Sequence, residues 1–471
     1  MLRTVAEYVE SLRDGRRVFY QGSLVEDVTA EPDLRVAIDM AALDFELAHD
    51  PDHRDKVLVK DPDSGAEIPL LYQEPRSPAD VQARGEVIEL ATAKCAGIPP
   101  LIKEIGTDAL FALLRVTDGE YYERARAFYE HCRDGDLAVA VAQTDVKGDR
   151  SLAPSAQPDP DLYLHVVSES TEGIVVRGAK MHTSASVNAN EIIVLPTRAM
   201  GPDDADYAVS FAVPVATPGL TLYTSSHGAG TRGPFQFPAA SRSKMLDTLT
   251  VFDDVFVPWE RVFAFRQPEL AGPLALTFVE YHRFTAVSYK LPLVDTFVGG
   301  AARIADMNGV GKAGHIRDKL THLINYAETV RGLTELAALR SREGRREIWY
   351  PDPMTTNMAK YTFASGYPAA VEMVQNCAGG LLVTGHGDAD WADPEVRTVL
   401  EKYFVAASPA EPRLRLMHLL SDLTAGDLGG YHAVLAVHAE GSVEAEKMQI
   451  LRSYDPTRAF SLVGELAQLE D

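Results

Sequence analysis

Twice along this 471-residue chain the spacing of apolar residues changes, and those two switches leave few folds open. Up to about residue 135 the apolar residues recur at helical spacing, in Val5–Leu12, Leu34–Leu47, Pro78–Lys94, Leu101–Leu114 and Gly119–Cys132. Ser77-Pro78-Ala79-Asp80 is a helix start with a serine cap, proline at the first helical position and an acid in the first turn. From about 136 to 263 the texture becomes short runs rich in Val, Ile, Leu, Tyr and Thr, punctuated by Gly, Pro, Asn and Asp. Examples are Leu137–Thr144, Leu162–Val167, Gly173–Arg177, Ile192–Leu195, Tyr207–Val213, Leu220–Thr224 and Thr248–Val257. Beyond about 269 long helical patterns return and run to the end. The spacing predicts a helical domain over 1–135, a β-barrel-like module or paired sheets over 136–265, and a helical bundle over 266–471. No internal repeat interrupts this order.

Chemistry concentrates on one predicted helix, Phe278–Leu291, followed by Pro292 and by Gly299-Gly300-Ala301-Ala302, where a neighbour can come close. His282, Tyr289 and Lys290 stand at i, i+7 and i+8 and share a stripe on an apolar helix. Such a stripe can do acid/base work. It is also what a buried helix with satisfied polar groups looks like, and composition alone favours that plainer reading.

Charge narrows the partners. Asp and Glu total 68 against 45 Lys and Arg, a net charge of -23. That sign disfavours nucleic acid and anionic membrane surfaces, while leaving room for a local basic pocket. The N-terminal segment lacks a signal-peptide pattern, and no apolar stretch is long enough to span a bilayer, so a soluble, cytoplasmic protein is expected. Cys95, Cys132 and Cys377 are too scattered for a disulfide framework or a C-x-x-C site.

Three segments carry possible cofactor contacts. Val141–Arg150, with Gln143, Thr144 and Arg150, is a strand running into a glycine-containing turn. Gly178–Glu191 brings His182, Thr183 and Ser184 in succession, and Ser and Thr can both donate and accept. Val374–Thr384 holds Gln375 and the pair Gly379-Gly380 at a helix end, where a plain C-cap is the commoner reason for such a pair. With Gly201–Pro214, Val251–Phe263 and Glu401–Phe404, these segments resemble a flavoprotein family with two branches. One branch is the oxygenase component of 4-hydroxyphenylacetate 3-hydroxylase, and the other is 4-hydroxybutyryl-CoA dehydratase/vinylacetyl-CoA isomerase.

The resemblance spans nearly the whole chain and is closer to the dehydratase branch. It implies an α+β, acyl-CoA dehydrogenase-like fold, FAD held between β module and bundle, and a homotetramer or dimer. By the same resemblance Gln143, Thr144, Arg150, His182, Thr183, Ser184, Gln375, Gly379 and Gly380 are the cofactor-binding candidates. Dehydratases hold a [4Fe–4S] cluster with one His and three Cys. The His corresponds to His282, the third Cys falls at Tyr289, and the first two fall near Pro100 and Glu104. Lys290 matches a lysine of that branch. Without the cysteines no iron–sulfur cluster is expected and no metal is assigned.

Hydroxylases surround the phenol with Arg, Tyr and His. Here the strand Leu137–Asp145 carries no His, and the Arg and Tyr positions again fall near Pro100 and Glu104. His282, Lys290, Tyr289, Glu104 and Arg283 are therefore the catalytic candidates. The expected function is the oxygenase component of a two-component monooxygenase that takes reduced FAD from a separate reductase and hydroxylates a small organic substrate. A nicotinamide fingerprint, in which G-x-G-x-x-G joins a strand directly to a helix, is not expected here, which accords with a separate reductase. The alternative is a cluster-free, flavin-dependent dehydratase or isomerase of an acyl thioester.

Overall fold

The computed structural model describes residues 2–62, 64–95, 97–228, 230 and 232–469. Helix α1 (Pro78–Lys94) starts as its sequence requires: the Ser77 hydroxyl accepts the Asp80 N–H and Pro78 occupies the first turn. Helices α2 (Glu104–Val116) and α3 (Gly119–Asp134) follow. The region is not wholly helical. Strands β1 (Val18–Tyr20) and β2 (Ser23–Val25) form a hairpin about Gln21-Gly22, whose φ angles of 49° and 79° are those of a tight primed turn.

That hairpin joins the central module. The other strands of that module are β3 (Val139–Ala142), β4 (His165–Glu169), β5 (Gly173–Ser184), β6 (Glu191–Val194), β7 (Ser210–Pro214), β8 (Leu220–Thr224), β9 (Asp247–Pro258) and β10 (Val262–Ala264). They make two sheets, a six-stranded one ordered β2-β1-β8-β9-β5-β4 and a four-stranded one ordered β10-β7-β6-β3. Alternate residues of both sheets, among them Val176, Val194, Phe211, Leu222, Phe252 and Val257, point into one shared core. The module is thus a pair of packed sheets, with β1 parallel to β8 and β3 parallel to β6.

The bundle is built on α4 (Pro268–Met307), a 40-residue helix. The sequence pattern broke it at Pro292, but the helix runs straight past. Proline forfeits one backbone hydrogen bond, and 22 buried residues along α4 hold the helix through that loss. Against α4 pack α5 (Gly314–Leu339), α6 (Pro353–Ala378) and α7 (Ala410–Thr424). At Gly300 a Cβ would lie 2.6 Å from Leu420 of α7, so the glycine is what lets these two helices meet. The chain closes with α8 (Asp427–His438), α9 (Val443–Ser453) and α10 (Thr457–Ala467), of which α8 and α10 were not apparent in the sequence pattern. Among the described residues no helix is long and apolar enough to cross a membrane.

Candidate active site

The stripe on α4 faces two buried polar clusters. The first surrounds His282. Its Nδ1 lies 3.2 Å from the Asp108 carboxylate on α2, and its ring stacks on Phe278 at 5.0 Å. Asp108 is itself fully buried and accepts from Arg84 at 2.7 Å and from the Thr285 hydroxyl at 3.0 Å. A carboxylate so held fixes the imidazole with Nδ1 protonated and leaves Nε2 as the group able to accept or give a proton.

The second cluster gathers around Glu440, which sequence reasoning missed. It lies in the turn between α8 and α9, with φ at 56°. The Tyr289 hydroxyl donates to its Oε1, and Lys290 Nζ donates to its Oε2 at 3.0 Å. Lys360 of α6 lies 3.6 Å from the same carboxylate and 2.7 Å from Glu446. Arg283 fastens the turn: its Nε donates to the Glu440 carbonyl at 2.9 Å and its Nη1 to Asn357 at 2.7 Å. At Gly441 a Cβ would lie 2.5 Å from that guanidinium, and φ is 110°, so the turn needs glycine twice over. Only the pair Glu440-Gly441 just beyond a helix could have signalled this turn in the sequence.

Burial sets the electrostatics. It works to raise the Glu440 carboxyl, but Lys290, Lys360 and the nearby His282 overcome it and hold the group down to about 2. The Lys290 ammonium is pushed down to about 8 by burial, against the pull of Glu440. Burial and the Glu440 charge together push the Tyr289 phenol well up, so it stays a donor. His432, buried beside Lys290, is driven down to about 4 by burial and then by that ammonium, and is neutral at pH 7. Three cations (Arg283, Lys290, Lys360) thus meet the carboxylates of Glu440 and Glu446, and the Asp247 carboxylate lies close enough to act on Tyr289 as a third. Lys290 and Lys360 are the groups there able to steady negative charge that develops beside them.

The strand wall lies beside it. Ser184 donates to Asp247 of β9, and Tyr431 of α8 donates to the other oxygen of Asp247 at 3.0 Å. The Thr183 hydroxyl is fully buried and has no hydrogen-bond partner among the described residues. Lys180 pairs with Asp145 at 2.9 Å beneath this wall and ties β5 to the end of β3, where Thr144 accepts the Met181 N–H. The Gln143 side-chain amide donates to the Ala275 carbonyl of α4 at 3.5 Å, at the junction of sheet and helix, and its backbone carbonyl accepts from Lys180 at 3.0 Å.

The other candidates fall elsewhere. Arg150 and His182 are exposed, His182 at a bulge with φ at 57°. Gln375 donates to the Thr424 carbonyl, and Gly379 caps α6 with φ at 79° and open space around it. Nineteen residues of helix separate Gly379 from Lys360, about 28 Å at 1.5 Å per residue, so within one chain this pair does not reach the site. Glu104 begins α2, fully buried. Burial raises its carboxyl, and the carboxyl of nearby Asp44 is raised by burial and then by the charge of Glu104. The three cysteines are buried and unpaired, and among the described residues no three His, Cys, Asp or Glu side chains are placed to hold a metal. At the position corresponding to the third cluster cysteine stands the Tyr289 phenol, engaged with Glu440, so the donors present do not fit an iron–sulfur cluster.

Residues 4–264 match the N-terminal domain of 4-hydroxyphenylacetate 3-hydroxylase and residues 271–468 its C-terminal domain. The chain belongs to the 4-hydroxyphenylacetate 3-hydroxylase family. Within the family it is 32% identical to the 4-hydroxybutyryl-CoA dehydratase/vinylacetyl-CoA Δ-isomerase of Clostridium aminobutyricum, over 96% of both chains. It is 31% identical to the 4-hydroxyphenylacetate 3-monooxygenase oxygenase component of Thermus thermophilus, over 91% of this chain and 90% of the other. A solved oxygenase component, complexed with FAD and 4-hydroxyphenylacetate, superposes with a TM-score of 0.91 at 28% identity, covering 99% of each chain. The fold is therefore the acyl-CoA dehydrogenase-like one that the resemblance implied.

Proposed function

We propose that this protein is the oxygenase component of a two-component flavin monooxygenase. It takes reduced FAD from a separate reductase and hydroxylates a small organic substrate, an aromatic phenol being the first candidate. The observation that carries this reading is Tyr289. Where a dehydratase places a cluster ligand, this chain places a phenol bonded to Glu440 among lysines, a set built to move protons and hold charge. FAD fits the wall formed by Gln143, Thr144, Thr183 and Ser184, where the unpartnered Thr183 hydroxyl offers a contact. When bound in its reduced form, FAD supplies the two electrons that activate O2.

The chain's own residues do the rest. Lys290 and Lys360 stabilise negative charge as it develops, Tyr289 donates a hydrogen bond, and His282, oriented by Asp108, exchanges the substrate proton through Nε2. The two-sheet module and α4 keep water from these groups. The test is turnover under 18O2. The reading expects one labelled oxygen in the product, and product formed with no label would sink it.

A second reading rests on the 32% identity to the dehydratase branch together with His282 and Lys290: a cluster-free dehydratase or isomerase of an acyl thioester. It would turn over without oxygen. Assembly as a dimer or tetramer is part of the proposal, supported by α10, which has no buried residue and exposes Phe460, Leu462, Val463 and Leu466. We place the protein in the cytoplasm, where its three unpaired cysteines stay reduced.

A further inference from the structure

The polar network around Asp247 continues past the strand wall toward solvent. Asp247 accepts the Ser184 hydroxyl on one carboxylate oxygen and the Tyr431 hydroxyl on the other, the latter at 3.0 Å. The Tyr431 ring also stacks on His227 at 5.5 Å, with the planes 30° apart. His227 is exposed, and its Nε2 lies 2.8 Å from the Asp427 carbonyl. Both rings line a void of about 30 Å3, together with Ser243, Lys244 and Asp427. A trapped water needs roughly 10–15 Å3 and at least two polar partners, so this void has room for one or two. It has a fixed frame, because the connection between β8 and β9 that carries His227 is clamped to the bundle. Asp388 accepts the Phe235 and Gln236 N–H groups at 3.0 Å each, and Asp422 accepts those of Ala239 and Ala240 at 3.0 and 2.7 Å. Burial, with the charges of Asp247 and Glu440, pushes the Tyr431 phenol well up. It therefore stays protonated, and gives a proton only as it takes another.

We propose that Asp247, Tyr431, a water in this void and His227 form the path by which solvent protons reach the site. The need for one follows from the proposed function, on which the inference rests for its electrons and oxygen. A substrate C–H, O2, anionic reduced FAD and one proton give hydroxylated product, water and oxidised FAD. One proton is needed equally if the oxygen leaves as hydrogen peroxide. Tyr289, Lys290 and His432 are buried, so that proton has to be carried in. Tyr431 gives its proton to Asp247 as its oxygen takes one from the water, and His227 returns a proton from solvent to the water. A half-turn of the carboxyl then presents the proton to the Ser184 oxygen, whose own proton passes inward.

The test joins a crystal structure to single-turnover kinetics. In crystals of the full-length protein without cofactor, an ordered water should hydrogen bond the Tyr431 oxygen and bridge toward His227; a dry void overturns the path. Reoxidation of reduced FAD by O2, with protein in excess, is then followed by flavin absorbance in dilute buffer for wild type, Tyr431→Phe and His227→Gln. Tyr431→Phe keeps the stacked ring and removes the hydroxyl, and should slow reoxidation about 10-fold or more. His227→Gln should slow it about 3-fold, and added imidazole should restore the rate, because a small diffusing base replaces an exposed side chain. Imidazole should not restore Tyr431→Phe, whose gap is buried. Reoxidation of both variants at the wild-type rate overturns the proposal. A His227→Gln deficit that imidazole leaves in place overturns it too, since His227 would then only shape the loop. If wild type with reduced FAD takes up no oxygen, the monooxygenase reading falls, and the bridging water alone decides the path.

Discussion

At the scale of single residues the site turns on Glu440, a carboxylate kept ionised in the interior by two lysines and a phenol. Glu440→Gln strands those ammoniums with one carboxylate fewer, so unfolding free energy should fall by about 3 kcal/mol and turnover by 100-fold or more. Adding Lys290→Met should restore much of the stability, measured by chemical denaturation, without restoring turnover. Recovery of both would mean that the lysine is structural only. Lys290 also sets a pH limit. With its pKa at about 8 it is charged below that pH and neutral above, so kcat should decline as pH rises through 8. Lys290→Arg should carry the decline beyond pH 10, because a guanidinium stays protonated there. His282, Tyr289 and Lys290 were visible in the sequence because one helix carries them at i, i+7 and i+8. Glu440, Lys360 and Asp108 were not, because each comes from a different segment and only tertiary packing brings them to the stripe.

At the scale of elements, α4 shows both what periodicity can and cannot reveal. Its apolar pattern was legible on either side of Pro292, yet the pattern cannot weigh one lost backbone bond against the packing of a whole buried helix. The β1–β2 hairpin was hidden for the opposite reason: two three-residue strands are too short to show a period of two. The close approach expected at Gly299-Gly300 occurs at Gly300. Gly300→Val should drive side chain into Leu420 and cost about 1–3 kcal/mol, read as a lower denaturation midpoint with an unchanged slope. No loss would mean that α4 and α7 separate easily.

At the scale of the molecule, the order helices, sheets, bundle was legible from texture alone, because each class of element fills a long contiguous stretch. Assembly was not, and α10 shows why: an amphipathic helix reads the same whether its apolar face meets its own chain or another. Deleting residues 457–469 should lower the molar mass measured by light scattering while leaving the bundle folded by circular dichroism. An unchanged mass would place the contact between copies elsewhere. The central claim, an oxygenase working on reduced FAD, is tested most directly by anaerobic titration with oxidised and reduced FAD, followed by mixing with aerated buffer. The account predicts markedly tighter binding of reduced FAD and oxygen consumption on mixing. Tight binding of oxidised FAD with no oxygen uptake would contradict it and favour the thioester dehydratase or isomerase.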